Sequence, residues 1–414
     1  MSQTPNFTSD YLYRYSNDEC HSDFHFWASL TLIGAVLGPR VYINHGRFKA
    51  IPVLFTVLVG TAGSGKSSAK DVVRDLMTDF FPDYMLSASF QSPGDFLEQL
   101  GMPEALRCFE ERAKPGSIKE YRPAFLLINE LASFLSIDHQ RMIATLIDIF
   151  DAKAVSTGFK KSRREGMNQT MQNPHIPMIA CVQPKWFMSN MKMDLFETGL
   201  GRRMCIVFRD KGKLNHDPQF PEDSQPHWNR VLLHLKRLYD DKTQGECKLT
   251  AESQEWWKDY YYDKERRKKS EDPLISEFQE TEHMVLLRVA LILSFCEYEF
   301  KYLITSQHLQ LARILLDNLK PDIIRLTGGI GSNPMAGVIQ QMLDFVRINN
   351  GMVREIRVKQ SFWKICPRGT MDYDMGLKQL VETKMLVMAD IGTDMPVRWC
   401  FTPEGWEKYN NPKK

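Results

Sequence analysis

The stretch that most constrains this chain runs from Phe55 to Val73 and reads FTVLVGTAGSGKSSAKDVV. Phe55 to Val59 is apolar and β-branched, which predicts a buried strand. Gly60-Thr61-Ala62-Gly63-Ser64-Gly65-Lys66-Ser67 completes a G-x-x-x-x-G-K-[ST] pattern, and the residues after it have helical spacing. Glycines let successive backbone N–H groups converge on a phosphate chain. The N-terminus of the following helix adds its positive dipole end, and Lys66 brings a point charge to the β- and γ-phosphates. Ser67 is left to hold Mg²⁺. The pattern predicts nucleoside-triphosphate binding by Gly60, Gly63, Ser64, Gly65, Lys66, Ser67 and Ser68.

The chain has 414 residues, 43% of them hydrophobic, enough for two or three domains with real cores. Its longest apolar run, Phe24 to Leu37, is 14 residues long, contains His25, Ser29 and Thr31, and is too short to span a membrane. With no basic leader before it, the expected location is cytoplasmic, without a membrane partner. Eight cysteines are scattered with no C-x-x-C or paired histidine spacing, so reduced thiols and no structural zinc are expected. The net charge of +2, from 53 basic and 51 acidic residues, does not announce nucleic acid. Any polyanion contact must come from local clusters.

Residues 1–22 read as an irregular polar lead-in. A helix is expected from Asp23 until Gly38-Pro39, then short strands around Asn44-His45-Gly46. Leu86 to Phe90 reads as a strand, and Ser92-Pro93-Gly94-Asp95 as the start of a helix. Ala124 to Ile128 has the continuous apolar character of a central parallel strand, and it ends in Asn129-Glu130. In a nucleotide site the first of these would sit in the Mg²⁺ shell, and the second would polarise the attacking water. Asn129 can accept a hydrogen bond from a metal-bound water but brings no charge; Glu130 is available as the base.

After a helix from Gln140 to Phe150, residues 155–172 read as a hairpin with Lys160, Lys161, Arg163 and Arg164 near its tip. Four cations in five residues suit phosphate-backbone contact, or simply a solvated loop. The strand Ile176 to Val182 ends at Gln183, whose position beside the acidic strand would reach a γ-phosphate or its attacking water. Arg202-Arg203 precede the strand Cys205 to Phe208 and suit either surface salt bridges or an arginine finger. A linker over 211–225 leads to helix-period segments at 227–239, 251–267, 280–298 and 306–319. Trp256, Trp257 and Tyr260 to Tyr262 read as packing residues, although the basic run Lys264 to Lys269 beyond them keeps nucleic acid in view. The joint Thr327 to Pro334 introduces helices at 335–348, 353–363 and 372–383, then strands at 386–389 and 398–401. That order resembles a winged-helix domain, whose ligand is duplex DNA or protein. Asp372, Tyr373 and Asp374 at the start of its third helix disfavour phosphate.

Taken in this order, the motifs resemble the AAA+ ATPase core, above all the helicase clade with a hairpin before sensor 1, shared by minichromosome maintenance and superfamily 3 viral helicases. Phe24-His25-Phe26-Trp27, Val41-Tyr42-Ile43, Leu58-Val59-Gly60 and Val182-Gln183-Pro184 are also similar to primase-associated, helicase-like ATPases of phages and mobile elements; the resemblance covers residues 24–300. It implies an α/β fold: an N-terminal helical lead-in (1–50), a P-loop AAA+ parallel-sheet core (51–212), a helical lid (213–330) and a C-terminal winged-helix domain (333–414). Lys66 and Ser67 would form Walker A, Asn129 and Glu130 Walker B, and Gln183 sensor 1. Arg203 would be the arginine finger, with Arg202 as the substitute. Arg288 is the candidate nucleotide-sensing lid arginine, with a surface or helix-pairing arginine as the other reading. The implied ligands are ATP and Mg²⁺ at the junctions of a homo-oligomeric ring, such as a hexamer, with single-stranded DNA on the basic hairpin and a primase or other replication partner. The implied activity is DNA translocation by a replicative helicase. A helicase loader or initiator, and a weakly hydrolysing, nucleotide-gated DNA-binding assembly protein, are the alternatives.

Overall fold

Four segments that are buried at every position, joined by one shorter strand, form a single parallel sheet at the centre of the chain's first part. The computed structural model describes residues 5–46, 48–81, 84–86, 107–110, 118–121, 124–136, 139–151, 155–156, 170–171, 174–190, 198–210, 219–240, 242–263, 270, 273–327, 336–349, 351–362, 370–389 and 398–403. Helices α1 (Phe7–Arg14) and α2 (Ser22–Leu37) come first, followed by the hairpin β1 (Val41–His45) and β2 (Phe48–Ala50). Next are β3 (Phe55–Val59), α3 (Lys66–Phe80), β4 (Met85–Leu86) and the hairpin β5 (Arg107–Glu110) and β6 (Ile118–Tyr121). Strand β7 (Ala124–Ile128) leads to α4 (Leu131–Ser136), α5 (His139–Phe150) and the antiparallel pair β8 (Val155–Ser156) and β9 (Thr170–Met171). Strand β10 (Met178–Val182), α6 (Pro184–Asn190), β11 (Met204–Phe208) and α7 (Ser224–Tyr239) complete this part.

The central sheet runs β11-β3-β10-β7-β4, with every neighbouring pair parallel. Strands β3, β7, β10 and β11 are buried throughout. A sheet covered on both faces has no solvent side, so these strands carry no polar alternation. Helix α2 is buried along almost its whole length, and its Thr31 hydroxyl bonds that of Thr56 on β3 at 2.7 Å.

Helix α2 ends inside the protein, and α7 ends beside it, with Leu238 buried, Tyr239 half-buried and Asp240 exposed. Last-turn carbonyls have no intrahelical partner, so a buried helix end needs an outside donor. Arg40 supplies it for both. Its guanidinium, on a side chain only 1% exposed, donates to the carbonyls of Val36 and Leu37 at 3.0 and 3.1 Å, and to those of Leu238, Tyr239 and Asp240 at 3.0, 3.1 and 2.7 Å.

The expected irregular lead-in is corrected. Residues 7–14 form α1, started by a reciprocal capping box in which Asn6 accepts from the Ser9 amide and Ser9 Oγ accepts from the Asn6 amide. Its buried Asp10 accepts from Arg230 Nε at 2.7 Å and pairs with His227 of α7 at 2.6 Å. Strands β12 (Gly245–Glu246), β13 (Lys248–Leu249) and β14 (Leu303–Ile304) and helices α8 (Ala251–Tyr262), α9 (Pro273–Ser294), α10 (Ser306–Asp317) and α11 (Lys320–Thr327) follow. The chain divides into two compact units, Met1–Ile324 and Arg325–Lys414, so the segments read as lead-in, core and lid share one unit.

The second unit contains α12 (Ala336–Ile348), α13 (Glu355–Phe362) and α14 (Thr370–Glu382). They pack with an antiparallel sheet of β15 (Met352–Arg354), β17 (Arg398–Phe401) and β16 (Leu386–Ala389), in that order. Strand β15 departs from the expected helix at 353–363, because Gly351 turns the chain at φ +77° and the helix begins only at Glu355. Tyr373 is in this unit's core, so it does not belong to the surface expected to repel phosphate. Among the described residues no helix is long and apolar enough to cross a membrane, and Cys20, Cys181, Cys205, Cys247, Cys296 and Cys400 form no disulfide.

Arg40→Ala removes five charge-assisted hydrogen bonds and takes this donor from the last-turn carbonyls of both helices, that of Asp240 keeping the Thr243 amide. Chemical denaturation is expected to show a loss of at least ~3 kcal/mol. Arg40→Lys, with three donors on a flexible stem, is expected to recover only part of it.

Candidate functional site

Parallel strands bring their carboxyl ends to one edge, where a sheet of this kind takes ligands. Strand β10 lies between β3 and β7, with Val182 opposite Val59 and Ala180 opposite Ile128. Three sequence-predicted groups therefore emerge side by side: the glycine-rich loop after β3, Gln183 after β10, and Asn129-Glu130 after β7. Gln183 and Asn129 are exposed and Glu130 is half-buried.

The loop is closed by its own backbone. The amide of Ser64 donates to the carbonyl of Thr61 at 3.2 Å, and Lys66 Nζ donates to the same carbonyl at 3.1 Å. Thr61 Oγ1 donates to the carbonyl of Asp210, and the amide of Gly60 to that of Val182 at 3.2 Å. Two glycines are demanded by geometry. Gly65, in the left-handed region at φ +81°, passes so close to Cys20 that a Cβ would lie 2.6 Å from its Cα. At Gly60 a Cβ would lie 2.3 Å from Ser64 Oγ and 2.9 Å from the carbonyl of Arg209.

Ser64 Oγ is buried, on a residue 1% exposed, and has no hydrogen-bond partner. An unpaired buried hydroxyl costs free energy unless a ligand oxygen meets it. Lys66, now on a loop carbonyl, can turn to an anion. Ser67, exposed in the first turn of α3, has a free path to a cation. The loop thus fits a chain of phosphate oxygens with a hard divalent ion. Behind it, burial pushes the Cys181 thiol up to about 11, which keeps it protonated and able to donate to the carbonyl of Lys66 at 3.6 Å.

The N-terminal segment braces the loop's helix. Asp18 accepts from Ser68 Oγ at 3.1 Å and from the Cys20 amide at 3.2 Å, and pairs with His25 Nε2 at 2.8 Å. The bond from His25 holds the Asp18 carboxyl down to about 2, against the opposing effect of burial. Asp18, Cys20 and His25 bring one donor atom each within 4.8 Å of one another. Both Asp18 oxygens are already engaged in the clasp around Ser68. A second clasp sits at the end of β11, where Arg209 bridges Asp23 of α2 and Asp322 of α11, the latter at 2.8 Å.

Three arginines lie elsewhere. Arg203, at the amino end of β11, donates to both oxygens of Asp151, at 3.1 and 2.8 Å, and to the carbonyl of Gly199 at 2.8 Å. Arg202 reaches Glu280 at 3.3 Å, and its carbonyl accepts from Thr281 Oγ1. Arg288 is corrected as a lid residue sensing its own chain's nucleotide. It is 4% exposed, stacks on the Phe150 ring at 3.9 Å and donates to the carbonyls of Phe150 and Val53 at 2.9 and 3.4 Å. Val53 precedes β3, so Arg288 sits beneath the amino edge of the sheet, separated from the loop by the length of β3, about 16 Å. Burial lowers its pKa to about 10. Helix pairing, the other sequence reading, fits this placement. Lys160, Lys161, Arg163, Arg164 and the run 264–269 lie outside the described residues. Trp257 and Tyr260 are buried, as packing residues are.

Sequence reasoning missed Arg14, Tyr15, Asp18, Gln219 and Phe220, which enclose a cavity of about 270 Å³ with Ser68 and Val72 of α3. Phe220 falls in a segment read only as linker, and no local pattern marks the others. No protein-family model matches the chain, and no curated protein matches it in sequence.

Because the folded Asp18 pKa lies below the ordinary carboxylate value of about 3.9, its contribution to stability is complete above that value and is lost as pH falls towards 2. Asp18→Asn is expected to melt earlier than the parent at pH 7, with the difference shrinking between pH 4 and 2 in thermal scans.

Proposed function

We propose that this chain is an ATP-driven, DNA-translocating motor of the AAA+ type, a replicative helicase working as a homo-oligomeric ring. The observation that carries this reading is the convergence of the glycine-rich loop, Gln183 and Asn129-Glu130 on the carboxyl edge of one parallel sheet, with the strand of Gln183 between the other two. A P-loop by itself needs only a triphosphate. A carboxylate and an amide placed beside it supply what hydrolysis needs in addition.

Gly60 to Lys66 would cradle the triphosphate of ATP, with Ser64 Oγ as a further donor. Mg²⁺, held by Ser67 and reached through water by Asn129, would neutralise the β- and γ-oxygens. Glu130 orients and deprotonates the attacking water, and Gln183 aligns it. Arg203 stands at the amino edge of the sheet, away from its own loop, and a finger acting on a neighbour's nucleotide has to leave Asp151 to do so. Basic residues 160–164 on the hairpin would follow the DNA backbone, and the three-helix, three-stranded second unit would be a winged-helix domain for DNA or for subunit packing.

One alternative has specific support. Asn129 brings no charge to the metal, and Arg203 is already satisfied by Asp151. Both favour a slowly hydrolysing assembly protein in which ATP gates DNA binding. A helicase loader would hydrolyse ATP without unwinding.

The deciding measurement is ATP turnover with and without single-stranded DNA, alongside unwinding of a forked duplex and native mass with a non-hydrolysable ATP analogue. The motor reading expects DNA-stimulated turnover, unwinding and an ATP-dependent ring. Glu130→Gln is expected to lower turnover about 100-fold or more while ATP still binds; unchanged turnover removes Glu130 as the base. Lys66→Ala is expected to lose ATP binding. Lys160→Ala with Arg163→Ala is expected to weaken DNA binding and flatten its salt dependence.

A further inference from the structure

Where the N-terminal segment turns into α2, a carboxylate, a thiol and an imidazole come together. Asp18 and Cys20 precede His21, the N-cap of α2, and His25 lies at the end of that helix's first turn. One Asp18 oxygen, Cys20 Sγ and a His25 ring nitrogen all lie within 4.8 Å of one another, and among the described residues no other three such groups do. Cys20 and His25 are each 1% exposed, so these are interior donors and not surface groups that happen to be close. The absence of paired cysteine spacing is what hides the trio in the sequence.

The donor set is selective. Zinc takes carboxylate oxygen at about 2.0–2.2 Å, imidazole nitrogen at about 2.0–2.1 Å and thiolate sulfur at about 2.3 Å, so tetrahedral angles separate the donors by about 3.3–3.7 Å. His25 Nε2 and the Asp18 oxygen stand at 2.8 Å and have only to open slightly while the thiol draws in. Hard cations such as Mg²⁺ take oxygen ligands, and a thiolate turns the preference to a softer ion. The carboxylate is already oriented: Ser68 Oγ donates to the oxygen that faces His25 at 3.1 Å, and the Cys20 amide to the other at 3.2 Å. Those two bonds remain when a metal replaces the bond between His25 and Asp18. The ring's remaining proton is then on Nδ1, and the thiol, whose present acceptor is the carbonyl of His21 at 3.6 Å, gives its proton to solvent. Zn²⁺, thiolate and carboxylate together are neutral, which suits a buried site.

Two further observations set the character of the site. Asp18, 24% exposed at its side chain, also lines the cavity of about 270 Å³ beside Ser68 and Val72, which gives an ion a way in and leaves room for a water as fourth ligand. His25 Nδ1 is buried without a partner. Zinc-bound histidines ordinarily donate from their second nitrogen, and the lack of that acceptor lowers affinity about 10–100-fold.

We propose that Asp18, Cys20 and His25 bind one zinc ion, completed by a water from the cavity, as an exchangeable site. Metal-free chain keeps the clasp through the His25–Asp18 bond, and zinc tightens it. The site touches the phosphate loop through the Ser68 bond and through Cys20, whose Cα would lie 2.6 Å from a Cβ on Gly65. Zinc therefore stiffens the exit of the loop whether or not a triphosphate is bound, and the inference stands apart from the triphosphate reading.

The test uses the full chain without nucleotide, with cobalt(II) as the spectroscopic stand-in for zinc and a chromophoric chelator competing for zinc itself. One metal per chain is expected, with a near-ultraviolet thiolate-to-cobalt band and the intense visible bands of a tetrahedral ion, all removed by excess zinc. Cys20→Ser is expected to abolish the thiolate band. His25→Gln, which still has an amide to donate to Asp18, is expected to weaken zinc binding at least about 100-fold. Ser67→Ala, at the residue read as the cation ligand of the phosphate loop, is expected to keep full zinc affinity; its loss there assigns the metal to the loop and overturns the proposal. A parent without the thiolate band, a band unchanged in Cys20→Ser, or undiminished affinity in His25→Gln overturns it equally. Where a variant fails to fold, hydrogen exchange of the parent with and without zinc decides: slowed exchange across residues 18–25 is expected, and slowing confined to other segments refutes the assignment.

Discussion

Two helix ends meeting in one place are the constraint around which the first unit is arranged. Helix α2 stops in the interior and α7 ends beside it, so that last-turn carbonyls of both need donors from outside their own helices. A lysine has too few donors, and a carboxylate has none. The guanidinium of Arg40 has five in a fixed plane, and it carries a positive charge to the negative ends of two helix dipoles. With that junction satisfied, α2 can lie fully buried against β3, and its N-terminal approach, residues 14–25, can lie along α3. The glycine-rich loop is rigid on both sides for this reason: the sheet holds its entry, and the N-terminal segment holds its exit at Gly65.

Much of the sheet and the groups at its edge were legible in sequence, because burial on both faces writes itself as uninterrupted apolar runs. Strands β3, β7, β10 and β11 were each visible that way, and the polar residues following β7 and β10 were visible as candidates for chemistry. The strand order was not. The sequence places Gln183 beside the acidic strand, but the pairing of its own strand with β3, more than a hundred residues earlier, is what makes it a neighbour of the glycine-rich loop as well.

What stayed hidden has a common physical origin. Arg40, Arg288 and Arg203 satisfy buried carbonyls or one buried carboxylate, and such contacts leave no period in the sequence. Arg288 on an apolar helix looks the same whether it faces a nucleotide or the underside of a sheet. Arg14 and Phe220 sit in stretches that read as lead-in and linker, since short capped helices and connecting segments need few apolar residues. Helix α1 was concealed for the same reason: its start is set by the Asn6–Ser9 box rather than by hydrophobic spacing.

The Arg40 junction also orders events during synthesis. Its acceptors on α7 lie up to 200 residues downstream, and the bond from Arg14 to Ser224 spans 210. At about 5–20 residues per second, a ribosome needs roughly 10–40 s to deliver α7 after Arg40 has emerged. Through that interval the part of α2 that α7 covers stays open, and three of the five acceptors of Arg40 have yet to be made. The nascent N-terminal segment is then a ligand for whatever in the cell holds exposed hydrophobic chains, and it leaves that state only when the chain beyond the sheet has been made.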